Sequence, residues 1–141
     1  MSKVSIVYWS GTGNTQKMAE AVAEGVKEAG AEADLKFVSA ATVDELAAEP
    51  AFALGCPSMG AEELEDAEME PFMAELESKI SGKKIALFGS YGWGDGQWMR
   101  DWEERMNAAG ATVVNGEGVI AHGEPDDDII EELKALGKAL V

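Results

Sequence analysis

Five times along this chain, an apolar strand-like run gives way to an amphipathic helical stretch. Lys3–Trp9 reads as the first strand. From Gln16 to Ala29, apolar residues at Met18, Ala19, Val22, Ala23 and Val26 recur at helical spacing, and Gly30 ends the helix. Ala33–Ser39 predicts a second strand and Thr42–Glu49 a short helix. Ala51–Gly55 is a third strand, apolar on both faces as a central parallel strand should be. A helix is expected from Pro71, a residue suited to a first helical position, to Ile80. Lys84–Gly89 is a fourth strand, and a helix over Gln97–Ala109 ends at Gly110. Ala111–Ala121 is the fifth strand, with Asn115-Gly116 as the place where it can break. Pro125–Leu140 is the last helix.

This alternation predicts an α/β fold, a doubly wound five-stranded parallel sheet with helices on both faces. Right-handed crossovers leave few topologies, and the order expected is 2-1-3-4-5. With 141 residues, the chain is expected to form a single domain over 1–141. A domain of that size buries about 70% of the surface its unfolded chain exposes, so no disulfide or structural metal is required. The single cysteine, Cys56, allows no intrachain disulfide. Met1-Ser2-Lys3-Val4 shows no basic-then-apolar leader pattern. The expected location is the cytoplasm.

In such a fold, ligands bind beyond the carboxyl ends of the strands, where strand order reverses. Three loops lie there: Ser10–Thr15, Cys56–Glu62 and Ser90–Gly96. The first, Ser10-Gly11-Thr12-Gly13-Asn14-Thr15, joins a strand to a helix. Its glycines let the backbone approach a ligand, and the helix start offers free N–H groups to an anion. Short side-chain donors flank them, and the only nearby cation is Lys17. The P-loop pattern G-x-x-x-x-G-K-[ST] is absent, and the dinucleotide pattern G-x-G-x-x-G fails because position 16 is Gln.

Charge narrows the partners. Asp and Glu number 27 against 11 Lys and Arg, a formal net charge of -16. That field repels nucleic acid and anionic membranes and favours basic protein surfaces.

The three loops resemble those of the flavodoxin family. Ser10–Thr15 resembles its FMN phosphate loop. Gly55-Cys56-Pro57-Ser58-Met59-Gly60-Ala61-Glu62-Glu63-Leu64 resembles the second flavin loop, and Gly89-Ser90-Tyr91-Gly92-Trp93-Gly94-Asp95-Gly96 the third. Val7-Tyr8-Trp9 is similar to the clostridial branch. The likeness runs over essentially the whole chain, and its length matches the short-chain class.

The resemblance implies bound FMN and a low-potential one-electron carrier rather than an enzyme. It implies that Ser10, Thr12, Asn14 and Thr15, with the loop amides and Ser90, hold the phosphate. Met59 and Trp93 would sandwich the isoalloxazine ring, and Glu62 would accept from the flavin N3–H. The Gly60–Ala61 peptide would turn its carbonyl toward N5 on one-electron reduction. Gly11, Gly13, Pro57, Ser58, Tyr91, Gly92, Gly94 and Asp95 would complete the site. Ala61 stands where relatives often have Gly, Asp or Ser, and a turn needing positive φ there costs Ala more than Gly. The implied partners are basic-surfaced redox proteins, such as iron–sulfur oxidoreductases, hydrogenases or reductases, met by a monomer.

The residue types suit this chemistry. Trp93, set between glycines, can lie flat on a ring, and aromatic stacking adds roughly 0.5–1.5 kcal/mol beyond area burial. Met59 offers a flexible, polarizable sulfur. From Met59 to Ser78 there are eight carboxylates (Glu62, Glu63, Glu65, Asp66, Glu68, Glu70, Glu75 and Glu77) and no cation. Carboxylates around an apolar site disfavour the anion that full reduction creates. At about 0.3–0.5 kcal/mol each, several would lower the second one-electron potential by on the order of 100 mV.

Other chemistries fit less well. Cys56 lacks the arginine of a C-x5-R phosphatase loop, since position 62 is Glu, and it reads as a small buried thiol. His122 is the only histidine and has no cluster to make a metal site. Trp98 and Trp102 share one helix face and read as core. Asp126-Asp127-Asp128 is expected in the first turn of the last helix, where acid suits the dipole. A phospho-acceptor domain would need acids after the first and third strands, where Ser-Gly-Thr and Cys stand. The remaining alternative is a flavin-dependent NAD(P)H or quinone reductase, which needs open space beside the ring.

Overall fold

The computed structural model describes residues 3–60 and 62–141. Its strands are β1 (Lys3–Tyr8), β2 (Glu32–Phe37), β3 (Ala51–Gly55), β4 (Lys84–Tyr91), β5 (Thr112–Val113) and β6 (Val119–His122). The helices are α1 (Asn14–Glu28), α2 (Val43–Ala47), α3 (Met69–Leu76), α4 (Gln97–Ala108) and α5 (Asp127–Lys138). The sheet runs β2-β1-β3-β4-β5, and every pairing is parallel. This is the expected doubly wound sheet and order. None of the described helices is long and apolar enough to cross a membrane.

The fifth strand does break at the expected place. Asn115 and Gly116 both take positive φ, 63° and 78°, which ends β5 after two residues. β6 then rejoins the sheet, pairing Val119–His122 with Phe88–Tyr91. That pairing carries β4 two residues past the expected end at Gly89.

Strand side chains alternate between two cores, as the period-2 geometry requires. Val7, Phe52, Leu54, Ile85 and Leu87 face α2, α3 and α4, where Leu46, Met73, Trp98, Trp102 and Met106 are buried. Val4, Ile6, Ala51, Ala53 and Ala86 face α1 and α5, with Met18, Val22, Leu133 and Leu136. The second face is lined by small residues, and α1 and α5 approach each other closely across it. A Cβ on Gly25 would collide with the Lys134 carbonyl, and one on Gly137 with that of Val22. Between the cores, Glu49 turns inward and accepts from the Ser5 N–H at 2.8 Å and the Ser5 hydroxyl at 2.6 Å, tying the end of α2 to β1.

Helix ends correct three expectations. α1 starts at Asn14 rather than Gln16, after Gly13 at φ 97°. Asn14 and Thr15 are therefore first-turn residues whose amides have no intrahelical partner. α3 starts at Met69, and Pro71 is its third residue, not its first. Proline is tolerated there because first-turn N–H groups are unused in any case. α5 starts at Asp127. Asp126 is its cap, accepting from the Ile129 N–H at 2.9 Å, and so precedes the first turn.

The α1–α5 contact predicts the effect of Gly25→Ala. Alanine gains at most about 1 kcal/mol in helix propensity. Overpacking against the α5 backbone costs roughly 1–3 kcal/mol. Urea unfolding should therefore show a lower midpoint with an unaltered slope.

Candidate functional site

β1 lies between β2 and β3, so the chain leaves β1 toward one side of the sheet and β3 toward the other. The loops after β1 and β3 diverge at this point and open a cleft of about 250 Å³. Its walls come from all three expected loops: Gly11, Thr12 and Asn14; Pro57, Ser58 and Met59; Ser90, Tyr91 and Gly92. Trp9 and Gly123 complete it. Neither belongs to the three loop motifs. Both had a positional signal, because each follows a strand at the end of the sheet where ligands bind.

Hydrogen bonds lock the loops together. The Ser58 N–H donates to the Ser90 carbonyl at 3.0 Å, and the Gly123 N–H to the Tyr91 carbonyl at 2.9 Å. The Thr15 and Ser90 hydroxyls meet at 3.0 Å, both buried, joining the first loop to the third. The indole N–H of Trp98 donates to the Cys56 carbonyl at 3.0 Å and braces the exit of β3 from below. Ser10 Oγ accepts from the Gly13 and Gln16 N–H groups at 3.1 and 3.3 Å. It thus supports the turn from outside the lining.

The second loop folds back on itself. Met59 and Glu63 exchange two backbone hydrogen bonds of 2.8 Å. Gly60 and Glu62 take φ 51° and 56°. Ala61, and with it the Gly60–Ala61 peptide, lies outside the described residues. A positive φ is uncommon for glutamate. Glu62 holds it while its Oε1 accepts from the Asp95 and Gln97 N–H groups at 3.2 and 3.3 Å. This carboxylate therefore bridges the second loop to the third and to the start of α4, against Gly94 at φ 85°.

Trp93 stands apart from the walls and is 57% exposed. Gly60, Glu62, Gly94 and Asp95 also lie outside the lining, as do Ser10, Gly13 and the buried Thr15. Trp98 and Trp102 are core residues, as expected. His122 is exposed, with its ring 5.1 Å from Tyr91 and Nε2 at 3.3 Å from the Gly92 carbonyl. No group of three or more metal-ligating side chains occurs among the described residues. A larger groove of about 450 Å³ lies between α4, α5 and the β5–β6 connection, and it shares only Gly96 with the three loops.

Cations near the cleft are engaged. Lys17 meets Glu124 at 2.6 Å, and Arg100 meets Asp95 at 3.0 Å. The cleft itself presents apolar walls from Trp9, Met59 and Tyr91, with neutral donors at its α1 end. Ser58, on the second loop, also lines the cleft, and its Oγ is buried without a partner. A free hydroxyl, a helix N-terminus and flat apolar walls suit a ligand that joins an aromatic ring system to an anion.

Fold and cleft together define the class, a doubly wound α/β protein with its ligand cleft at the topological switch point. The Flavodoxin family model matches residues 6–135. The flavodoxin of Clostridium beijerinckii is 56% identical over 124 residues, covering 88% of this chain and 89% of that one. The flavodoxin of Megasphaera elsdenii is 48% identical over 136 residues, 96% of each chain. The solution structure of two-electron reduced M. elsdenii flavodoxin superposes with a TM-score of 0.88, covering 96% of this chain and 98% of that one at 45% identity. The chain belongs to the flavodoxin family. It is an FMN-dependent electron carrier that works with redox partner proteins, and full-length similarity to carriers disfavours the reductase alternative.

Cys56 is fully buried at the end of β3, and burial pushes its thiol up to about 12. At pH 8 it should therefore resist a thiolate-directed reagent in the folded protein and react promptly in denaturant. Prompt reaction in the folded state would show that the second loop opens readily.

Proposed function

We propose that the cleft is the FMN site and that its three loops divide the work of holding the cofactor. The observation that carries this reading is the convergence of all three loops on one apolar-walled cleft where strand order reverses. The first-turn amides of α1, with Ser10, Thr12 and Asn14, hold the phosphate. Lys17 is occupied by Glu124, so the donors are neutral. Thr15 and Ser90 act through each other, keeping the first and third loops in register.

Met59 forms the inner wall against the ring. Trp93, exposed and flanked by glycines, covers the outer face. Glu62 keeps its second oxygen for the N3–H edge of the ring while its first anchors the third loop. The carbonyl between residues 60 and 61 would accept from the N5 edge, as the resemblance implies. Bound FMN supplies the reversible one-electron chemistry. The surrounding carboxylates, with nearby cations already paired, disfavour a second negative charge in the cleft and so separate the two one-electron steps.

The same acidic surface suits basic redox partners of the iron–sulfur oxidoreductase, hydrogenase or reductase kind. We read the chain as a single-domain cytoplasmic monomer.

Stepwise anaerobic reduction of the purified protein tests this directly. Bound FMN reduced in two well separated one-electron steps is the expected result. A colourless protein that takes up no added FMN would sink the proposal, and a single two-electron step with rapid NAD(P)H oxidation would favour a reductase. Trp93→Ala should weaken FMN binding by about threefold to tenfold, the scale of one stacking contact. Trp102→Ala should instead lower stability, and equal effects of the two on affinity would remove Trp93 from the site.

A further inference from the structure

Glu65 is not a wall of the cleft, yet it closes the loop that forms one. The residue is 6% exposed. Its Oε1 accepts from the Ala67 N–H at 2.8 Å, and its Oε2 from the Glu68 and Met69 N–H groups at 2.8 and 3.0 Å. Its own N–H donates to Cys56 Sγ at 3.4 Å, and its carbonyl accepts from the Glu70 N–H at 2.9 Å. Cys56 follows β3, and Met69 begins α3. The segment between Cys56 and Glu65 carries Pro57, Ser58, Met59 and Glu62. One residue therefore fastens both ends of that segment: its carboxylate holds the start of α3, and its backbone N–H holds Cys56.

The charge on Glu65 is committed to this task. Burial alone would raise its carboxyl, but the three N–H donors outweigh burial and hold it below the ordinary 4.5. The carboxylate meets backbone amides rather than the cleft. Its part in holding the loop is geometric, and its charge adds to the field of the other carboxylates.

We propose that Glu65 is a positioning residue for FMN: its carboxylate anchors it to the start of α3, so that its backbone N–H can hold Cys56 and keep the second loop in its binding-competent form. The proposal rests on reading the cleft as the FMN site. Glutamine at this position keeps the shape but has one acceptor oxygen and turns N–H groups toward N–H groups. At least one buried amide then loses its partner. The loop spends more time open, and apparent affinity falls with the competent fraction.

The test compares wild type with Glu65→Gln. FMN is titrated into apoprotein by flavin fluorescence quenching, and amide hydrogen exchange is followed in parallel. The expected results are an affinity about tenfold weaker and faster exchange at the Ser58, Met59 and Glu63 amides, with α1 and β1 unchanged. The affinity ratio should hold from pH 7 to 5 and shrink toward one only below about 4.5, as wild type loses its own carboxylate charge. Equal affinities, or a uniform rise in exchange across the whole sheet, would overturn the proposal. Should Glu65→Gln fail to fold, wild type carries the test alone. Loss of protection at Met59 and Glu63 before α1 on acidification supports the clasp, and simultaneous loss overturns it. Failure of wild type to take up FMN would sink the reading of the cleft, whereas unchanged exchange in the second loop would sink only the clasp.

Discussion

The parallel ladder between β1 and β3 is the constraint on which the cleft depends. It places Ile6, Val7 and Tyr8 beside Ala53, Leu54 and Gly55, with β2 and β4 on opposite flanks. Crossovers on opposite faces must then leave the two strands in opposite directions, and no loop fills the gap between them. The loop after β4 reaches the same gap because β4 neighbours β3 and is extended by its pairing with β6. Binding groups distant in sequence thereby meet without any of them having to fold into the core.

The two faces of the sheet differ in what they support. On the α1–α5 side, alanines and two glycines allow close helix packing. On the α3–α4 side, methionines and tryptophans fill a deeper core, and Trp98 reaches from it to hold the Cys56 carbonyl. The second loop therefore stands on a bulky, hydrogen-bonded base, and the Thr15–Ser90 contact links the first and third loops beside it.

Acidity has two separate uses in this molecule. Glu49, Glu62 and Glu65 direct carboxylate oxygens at backbone N–H groups and fix the chain path. Glu70 and Glu77 both hold Arg105, joining α3 to α4. Others pair with lysine or arginine, as Glu124 does with Lys17 and Asp95 with Arg100, or cap a helix, as Asp126 does. A count of acidic residues therefore gives the net field but not which of the acids also fix the chain path.

Much of the fold was legible because burial on two faces leaves a plain record in the residue pattern. Ala51–Gly55 is apolar throughout, α1 repeats at helical spacing, and Asn115-Gly116 marks the break in the last strand. The three loops were legible because glycines and short polar residues concentrate where strands meet helices. The carboxyl end of β4, the start of α3 and the site roles of Trp9 and Gly123 were not. The first and last depend on partners far away in the chain, β6 for β4 and the convergence of strand ends for Trp9 and Gly123, while α3 starts where the Glu65 carboxylate takes up its first amides. Glu65 stands as one acid among eight because the expected start of α3 at Pro71 lies past the Ala67, Glu68 and Met69 amides that its oxygens face. By itself, the sequence determined which segments form strands and helices and which loops hold ligand chemistry, because those follow from local periodicity and residue type. The fold alone sets the distant amides that Glu49 and Glu62 meet and the side chains that wall the cleft, because those follow from distances between residues remote in the chain.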